Sequence, residues 1–217
     1  MARPVLGRVG TERRVAWLDR DRALVSAAQA DPARFDALYR KYLAQVYSYA
    51  LYELRDHHAA EDATERTFLS ALAALPAFED RARPEDGEGA STFRVWLFRI
   101  ARNAVANERR AARRHPTAPL EAAAGVADAT DAIGELLLRE DAAAAWAAVA
   151  RLPDDRRRAL VLRFVEEMST AEIAGVLGRS EGAVRVLIHR ALRSVAAELT
   201  AEPAAAPRAE PNSERRG

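Results

Sequence analysis

Arg185, His189, Arg190 and Arg193 lie off the apolar stripe formed by Val184, Leu187, Ile188, Ala191, Leu192 and Val195. A helix anchored by such a stripe presents its guanidinium groups on the opposite face, where they can bond phosphates or the O6 and N7 of guanine in a major groove. Just upstream, Ile173, Val176 and Leu177 recur at helical spacing, Ala174 leaves room for close approach, and Gly178 can take the positive φ of a sharp turn. Ser180 is a good N-cap for the second of these helices. Residues 169–195 therefore predict a helix-turn-helix of the DNA-reading kind. For this stretch alone, a helical hairpin with a merely solvated charged face is the plainer alternative.

A second helix, residues 91–114, combines arginine with aromatic side chains. Arg94, Arg99, Arg102, Arg109, Arg110, Arg113 and Arg114 are opposed there only by Glu108. Arginines can track phosphates while rings stack on unpaired bases, which suits DNA held partly as single strand. Phe93, Trp96, Leu97, Ile100 and Ala104 also fall on one apolar face, and for Trp96 packing in the core is the favoured reading.

Other residue patterns point to chemistry that the context does not support. Gly178 to Gly182 match G-x-S-x-G, the nucleophile elbow of serine hydrolases, but that turn needs a strand entering it and here a helix enters. Glu61, Asp62 and Glu65 could favour the first turn of a helix dipole or a divalent cation, yet no other ligand cluster lies nearby. Adjacent His57 and His58 project about 100° apart on a helix and cannot form an i, i+4 metal pair. His115 follows a basic run. No catalytic residue, metal site or cofactor is expected.

The elements that must position these residues are all helical. The 217 residues are rich in alanine and arginine, carry a net charge of +1, contain Lys41 as the single lysine, and lack cysteine, which excludes disulfides and thiolate chemistry. Charge alternates in blocks, the basic 91–114 being followed by Glu121, Asp128, Asp131, Glu135, Glu140 and Asp141. The N-terminal arginines flank no continuous apolar run, so neither a signal peptide nor membrane insertion is expected, and a cytoplasmic protein fits.

Along the chain, residues 1–22 read as a loose basic arm, and 23–116 as an N-terminal helical domain. In that domain Phe35, Leu38, Tyr39, Tyr42, Leu43, Val46, Tyr49 and Ala50 trace one face of a long core helix. A helix over 59–75 comes next, capped by Asp56, with Phe68, Leu72 and Leu75 inward and Pro76 ending it. Residues 77–90, charged and holding Pro84, Gly87 and Gly89, predict a mobile loop, and His115 with Pro116 stops the third helix. Residues 117–132 read as an acidic, Pro- and Ala-containing flexible linker. Residues 133–200 form a C-terminal helical domain running from Ile133 past Trp146 and Pro153 into the helix-turn-helix, and 201–217 a disordered tail.

The segments 59–72, 91–114 and 152–192, taken in order, resemble bacterial RNA polymerase sigma factors of the extracytoplasmic-function type over most of residues 25–199. The resemblance implies an all-α protein of two small helical domains that binds core polymerase, recognises two promoter elements and helps melt DNA, and is not itself an enzyme. It implies that Glu61, Asp62, Glu65 and Arg66 dock on the clamp coiled coil of the β′ subunit, with the β subunit a further partner. The family usually has a Gln-Glu pair where Glu65 and Arg66 stand. Arg99, Arg102, Asn103, Asn107, Arg109, Arg110, Arg113 and Arg114 would bind and melt the minus-ten element. Ser180, Glu181, Arg185, Val186, His189 and Arg190 would read the minus-thirty-five element in double-stranded DNA. An anti-sigma factor is expected on the same basis. The rival function is a stand-alone helix-turn-helix regulator with a helical sensing or dimerisation domain, and a serine hydrolase is the remoter one.

Overall fold

The computed structural model describes residues 18–114 and 144–200. The basic arm to residue 17, His115 and Pro116, the linker 117–132, the chain from there to 143 and the tail 201–217 lie outside the described residues. Among the described residues all regular structure is helical.

α1 spans Arg22–Ala30 and α2 Phe35–Leu54. In α2, Leu38, Tyr42, Val46 and Tyr49 lie three or four residues apart and are fully buried, as a core-facing stripe requires. Arg55 ends α2 in the left-handed region, with φ 59°, and its N–H bonds the Leu51 carbonyl. α3, His57–Ala74, starts on Asp56, whose carboxylate accepts from the Ala59 N–H at 2.8 Å. Pro76 then sits in a 3₁₀ turn, Leu75–Ala77. α4, Phe93–Arg114, begins where Ser91 Oγ accepts from the Phe93 N–H at 3.1 Å.

α2, α3 and α4 close on one another through aromatic residues. Tyr49 meets Phe98 edge-on with centroids 5.6 Å apart, and Phe78 meets Phe93 at 5.9 Å. Phe93 and Phe98 are fully buried and Trp96 leans on Phe78 and Phe93, so these rings build the core and do not form a stacking platform. Two residues expected inward, Tyr39 and Leu72, are exposed instead. They line an open groove between α2 and α3.

The charged segment 77–90 is built rather than loose. Asp80 Oδ1 accepts from the Ala82 N–H at 3.0 Å, the Thr92 N–H at 3.0 Å and the Thr92 hydroxyl at 3.1 Å. Burial alone would raise the Asp80 carboxyl, but these hydrogen bonds outweigh it and hold the pKa below the usual carboxylate range. The acid is placed where it satisfies N–H groups at the start of α4 and opposes the positive end of its dipole. The chain around the start of α1 bonds the end of this segment and the residue after it, Arg22 N–H to Gly89 O at 3.2 Å and Ser91 N–H to Asp19 O at 2.8 Å.

The second unit opens with a helix, α5, described over 144–151. α6, Asp154–Leu160, comes after Pro153 and runs into a π-helical turn, Val161–Val165. α7, Thr170–Leu177, starts on a reciprocal cap in which Ser169 Oγ accepts from the Glu172 N–H at 3.1 Å and the Ser169 N–H donates to Glu172 at 2.9 Å. Gly178 closes it with φ 65°, and α8 spans Glu181–Thr200. Leu162, Met168, Ile173 and Val176 join Phe98, Ala101 and Val105 in one continuous core, so the two units pack face to face.

Candidate nucleic-acid interface

α8 is held by Val184 and Ala191, both fully buried, with Leu187, Ile188 and Val195 half-buried beside them. Leu192, expected on the same stripe, is exposed. Glu181, Arg185, Val186, His189, Arg190 and Arg193 all face outward. Ser180 Oγ accepts from the Ala183 N–H at 3.2 Å. It caps α8 between two helices, which is not the strand-to-helix setting of a nucleophile elbow. Glu181 lies 3.1 Å from Arg185 one turn on and draws that guanidinium along the helix.

On α4 the arginines divide between two faces. Asn103, Asn107, Arg110, Arg113 and Arg114 are exposed, and Arg110 donates to Asn107 Oδ1 at 2.6 Å. Arg66 reaches over from α3 to line a shallow concavity with Asn107, Arg110, Arg113 and Arg114 and pairs with Glu108. Arg66 thus stands at the basic end of α4, away from the groove that Glu61 and Glu65 line.

The other face of α4 meets the second unit. Arg94, only 9% exposed, donates to the Glu166 carbonyl and lies 3.5 Å from Glu172. Arg99 Nε donates to the Gly175 carbonyl at 2.6 Å and Arg102 to the Val176 carbonyl at 2.8 Å. Arg109 donates to the Glu53 carbonyl, lies 2.8 Å from the Glu53 carboxylate, and bridges to Asp154 at 3.3 Å.

Glu53 is the centre of an ionic node. Its carboxylate has no exposed surface and also faces Arg157 and Arg158 of α6, each at 3.5 Å. Neither of its oxygens accepts a well-aligned hydrogen bond, so the attraction is charge against charge. Burial lowers the pKa of Arg109, with Glu53 opposing that shift. Burial works against charged Arg157 too, but Glu53 and Asp154 outweigh it and raise that pKa. Glu166, nearby on the seam, is different. It is 3% exposed, one carboxyl oxygen has no partner, and burial pushes its pKa up to about 8 against the pull of Arg94.

A separate apolar groove runs between α2 and α3. Tyr39, Phe68, Leu69 and Leu72 line it, with Glu61 and Glu65 at its edge. Asp62 is exposed on the same helix. Among the described residues no cluster of His, Asp and Glu could hold a metal ion, and no described helix is long and apolar enough to cross a membrane.

Glu53, Arg157, Arg158, Glu166 and Gly175 carry no signal in the sequence, because each matters only once the two units touch. The Ser169–Glu172 cap is legible there as S-x-x-E before an apolar run.

Comparison with known proteins agrees with this architecture. Residues 38–115 match the model of sigma-70 region 2 and residues 142–195 that of sigma-70, region 4. The chain is 36% identical over 182 residues to the ECF RNA polymerase sigma factor BldN of Streptomyces coelicolor, covering 80% of this chain and 63% of that protein's length. It is 33% identical over 174 residues to the sigma factor SigL of Mycobacterium tuberculosis, covering 78% of this chain and 90% of SigL. Among solved structures, CnrH in complex with the cytosolic domain of CnrY superposes with TM-score 0.59 at 26% identity, over 85% of this chain and all of that one. The sigma factor RpoE bound to the anti-sigma factor NepR, from Bartonella quintana, shares the fold at TM-score 0.55 and 22% identity, over 78% of this chain and 98% of that one.

Proposed function

The chain belongs to the extracytoplasmic-function RNA polymerase sigma factors, directing promoter-specific transcription initiation, and we propose that it reads its promoter with two helices, α8 and α4. The carrying observation is the outward face of α8, where Arg185, Val186, His189 and Arg190 are exposed on a helix whose other side is buried. That face fits the major groove of the minus-thirty-five element, with Ser180 and Glu181 at the entry. Asn103, Asn107, Arg110, Arg113 and Arg114 offer a second basic surface for the minus-ten element, with Arg99, Arg102 and Arg109 on the neighbouring face that meets the second unit.

Core polymerase docks on the α2–α3 groove. Its apolar floor and its acidic edge at Glu61 and Glu65 suit an amphipathic basic helix, the chemistry expected of the β′ clamp coiled coil, with Asp62 adding charge and the β subunit engaging the second unit. The protein acts in the cytoplasm and contributes no chemistry of its own, nucleotidyl transfer belonging to the core. CnrH and the Bartonella RpoE, both solved with partners bound, support an anti-sigma factor as a further partner here.

The test is promoter-dependent transcription with purified core polymerase and a genome-wide template pool. Discrete start sites that require the protein are expected. Failure both to bind core and to direct initiation would leave the stand-alone regulator.

A further inference from the structure

The groove between α2 and α3 leaves large apolar side chains in water. Leu69 is 59% exposed, and Tyr39 and Leu72 stand exposed with it on one continuous lining. A patch of that kind, edged by Glu61 and Glu65, calls for a cover that is both apolar and cationic. From Phe35 to Tyr47 it runs about 18 Å along α2, at 1.5 Å per residue.

The chain carries such a segment itself. Residues 1–17 hold Val5, Leu6, Val9, Val15 and Trp17 among four arginines, with Glu12 as the one acid. The other stretches outside the described residues lack one half of that chemistry. Residues 115–143 set six carboxylates against Arg139 and would be repelled by the acidic edge, and residues 201–217 have no large apolar side chain.

The point where residues 1–17 join the folded unit puts the groove within their reach. Asp19 is held on one flank of α2, accepting from the Tyr42 hydroxyl at 2.7 Å and lying 3.4 Å from Lys41, while buried Asp21 pairs with Lys41 at 2.5 Å. Tyr39 and Leu43 lie on the other side of Tyr42 from Lys41, by the helical period. Eight extended residues cover about 26 Å, more than twice the thickness of a helix, and this leaves Met1 to Val9 for the groove. Arg3 to Val9 extended is about 20 Å, which matches its length. A tether this short sets an effective concentration on the order of millimolar, so a contact of modest intrinsic affinity fills the site.

We propose that residues 1–9 lie along the α2–α3 groove, with Val5, Leu6 and Val9 supplying the apolar contact and Arg3 and Arg8 the charge opposite Glu61 and Glu65, so that core polymerase must displace the chain's own arm to dock. The displacement rests on the reading of this groove as the polymerase site, whereas the seat of the arm does not.

The experiment uses the full chain. The protein has no cysteine, so Gly7→Cys carries a single nitroxide label that broadens the NMR signals of residues near it. Leu69 and Leu72 in the groove should lose most of their methyl intensity. Ala37, exposed one turn from Lys41 on the flank where the arm begins, should keep most of its own. Val5→Ser/Leu6→Ser/Val9→Ser in the labelled chain should remove that difference. In a mixture of labelled and isotope-enriched unlabelled chains no broadening should pass between molecules. Without the label, and at an equal melting midpoint, the serine variant should bind core polymerase at least about threefold more tightly than wild type.

Broadening that centres on Ala37, or that persists at Leu69 and Leu72 in the serine variant, overturns the seat. Broadening passed between chains overturns it too, since the occupant is then a second copy. Groove broadening as expected, with core binding equal or weaker in the serine variant, overturns the competition. If neither chain binds core while the groove broadening remains, the seat stands and the polymerase-docking reading of the groove falls.

Discussion

α4 and α8 both carry arginine on one side of an amphipathic helix, and the structure uses that arginine in opposite ways. On α8 the charged face is left free, and its two fully buried residues, Val184 and Ala191, do the anchoring. On α4 the charged residues divide, with Arg94, Arg99, Arg102 and Arg109 bonding the second unit, Arg109 through Asp154, and Arg110, Arg113 and Arg114 facing outward. A basic stripe is therefore not by itself a DNA surface. What decides is whether a carboxylate or an unpaired helix carbonyl of the other unit lies within reach.

The contrast is strongest at Glu53. Glu53→Ala leaves Arg109, Arg157 and Arg158 with only the half-exposed Asp154 between them, and should lower stability by roughly 3–5 kcal/mol. Chemical denaturation checks this, and a midpoint equal to wild type would erase the distinction between the seam and the surface. Neighbours in sequence should then separate. Arg109→Ala takes the nearest of three guanidinium groups from the Glu53 carboxylate and should lose about 1–3 kcal/mol, whereas Arg110→Ala should stay within about 0.5 kcal/mol of wild type. In promoter binding Arg110→Ala should flatten the salt dependence by about one unit of slope. Equal stability losses in the two variants would show that both arginines pack alike.

Glu166 sharpens the same comparison through pH. Its carboxyl is neutral in the folded protein up to about pH 8, while the unfolded chain releases that proton near the ordinary carboxylate value. Between those values the native state binds the extra proton, so this group makes stability fall as pH rises through the interval, with no further change above it. Glu166→Gln should remove that slope and raise stability at pH 8 by roughly 1–3 kcal/mol. Parallel melting curves from pH 5 to 8 would show that Glu166 ionises freely. The smallest effect belongs to α8. Arg190→Ala should leave stability within about 0.5 kcal/mol and weaken promoter binding by about 1–3 kcal/mol, read by titration with promoter DNA. A variant that melts early would mean that α8 packs its arginines as α4 does.

Local chemistry is legible in the sequence wherever a residue acts on its own neighbours. Asp56 and Ser180 cap the helices expected of them, and Gly178 adopts the left-handed turn expected of it. The segment 77–90 departs from expectation because its composition is that of a loop, whereas Asp80 works through Thr92, twelve residues away. Tyr39, Leu72 and Leu192 follow the helical period correctly, but the period says which residues share a face and not how wide the covering neighbour is.

By itself, the sequence determined the helices, their caps and the helix-turn-helix, because helical period and capping depend on residues within a few positions of one another. It also determined the family, through three motifs in fixed order. Only the tertiary structure decided which arginines remain available. Arg99 and Arg102 find their acceptors more than seventy residues away, on carbonyls that every helix end exposes whatever its sequence, and the missing side chain of Gly175 leaves room for Val95 of α4. Backbone acceptors and an absent side chain leave no residue-type signature along the chain, so their use becomes visible only when α7 lies against α4.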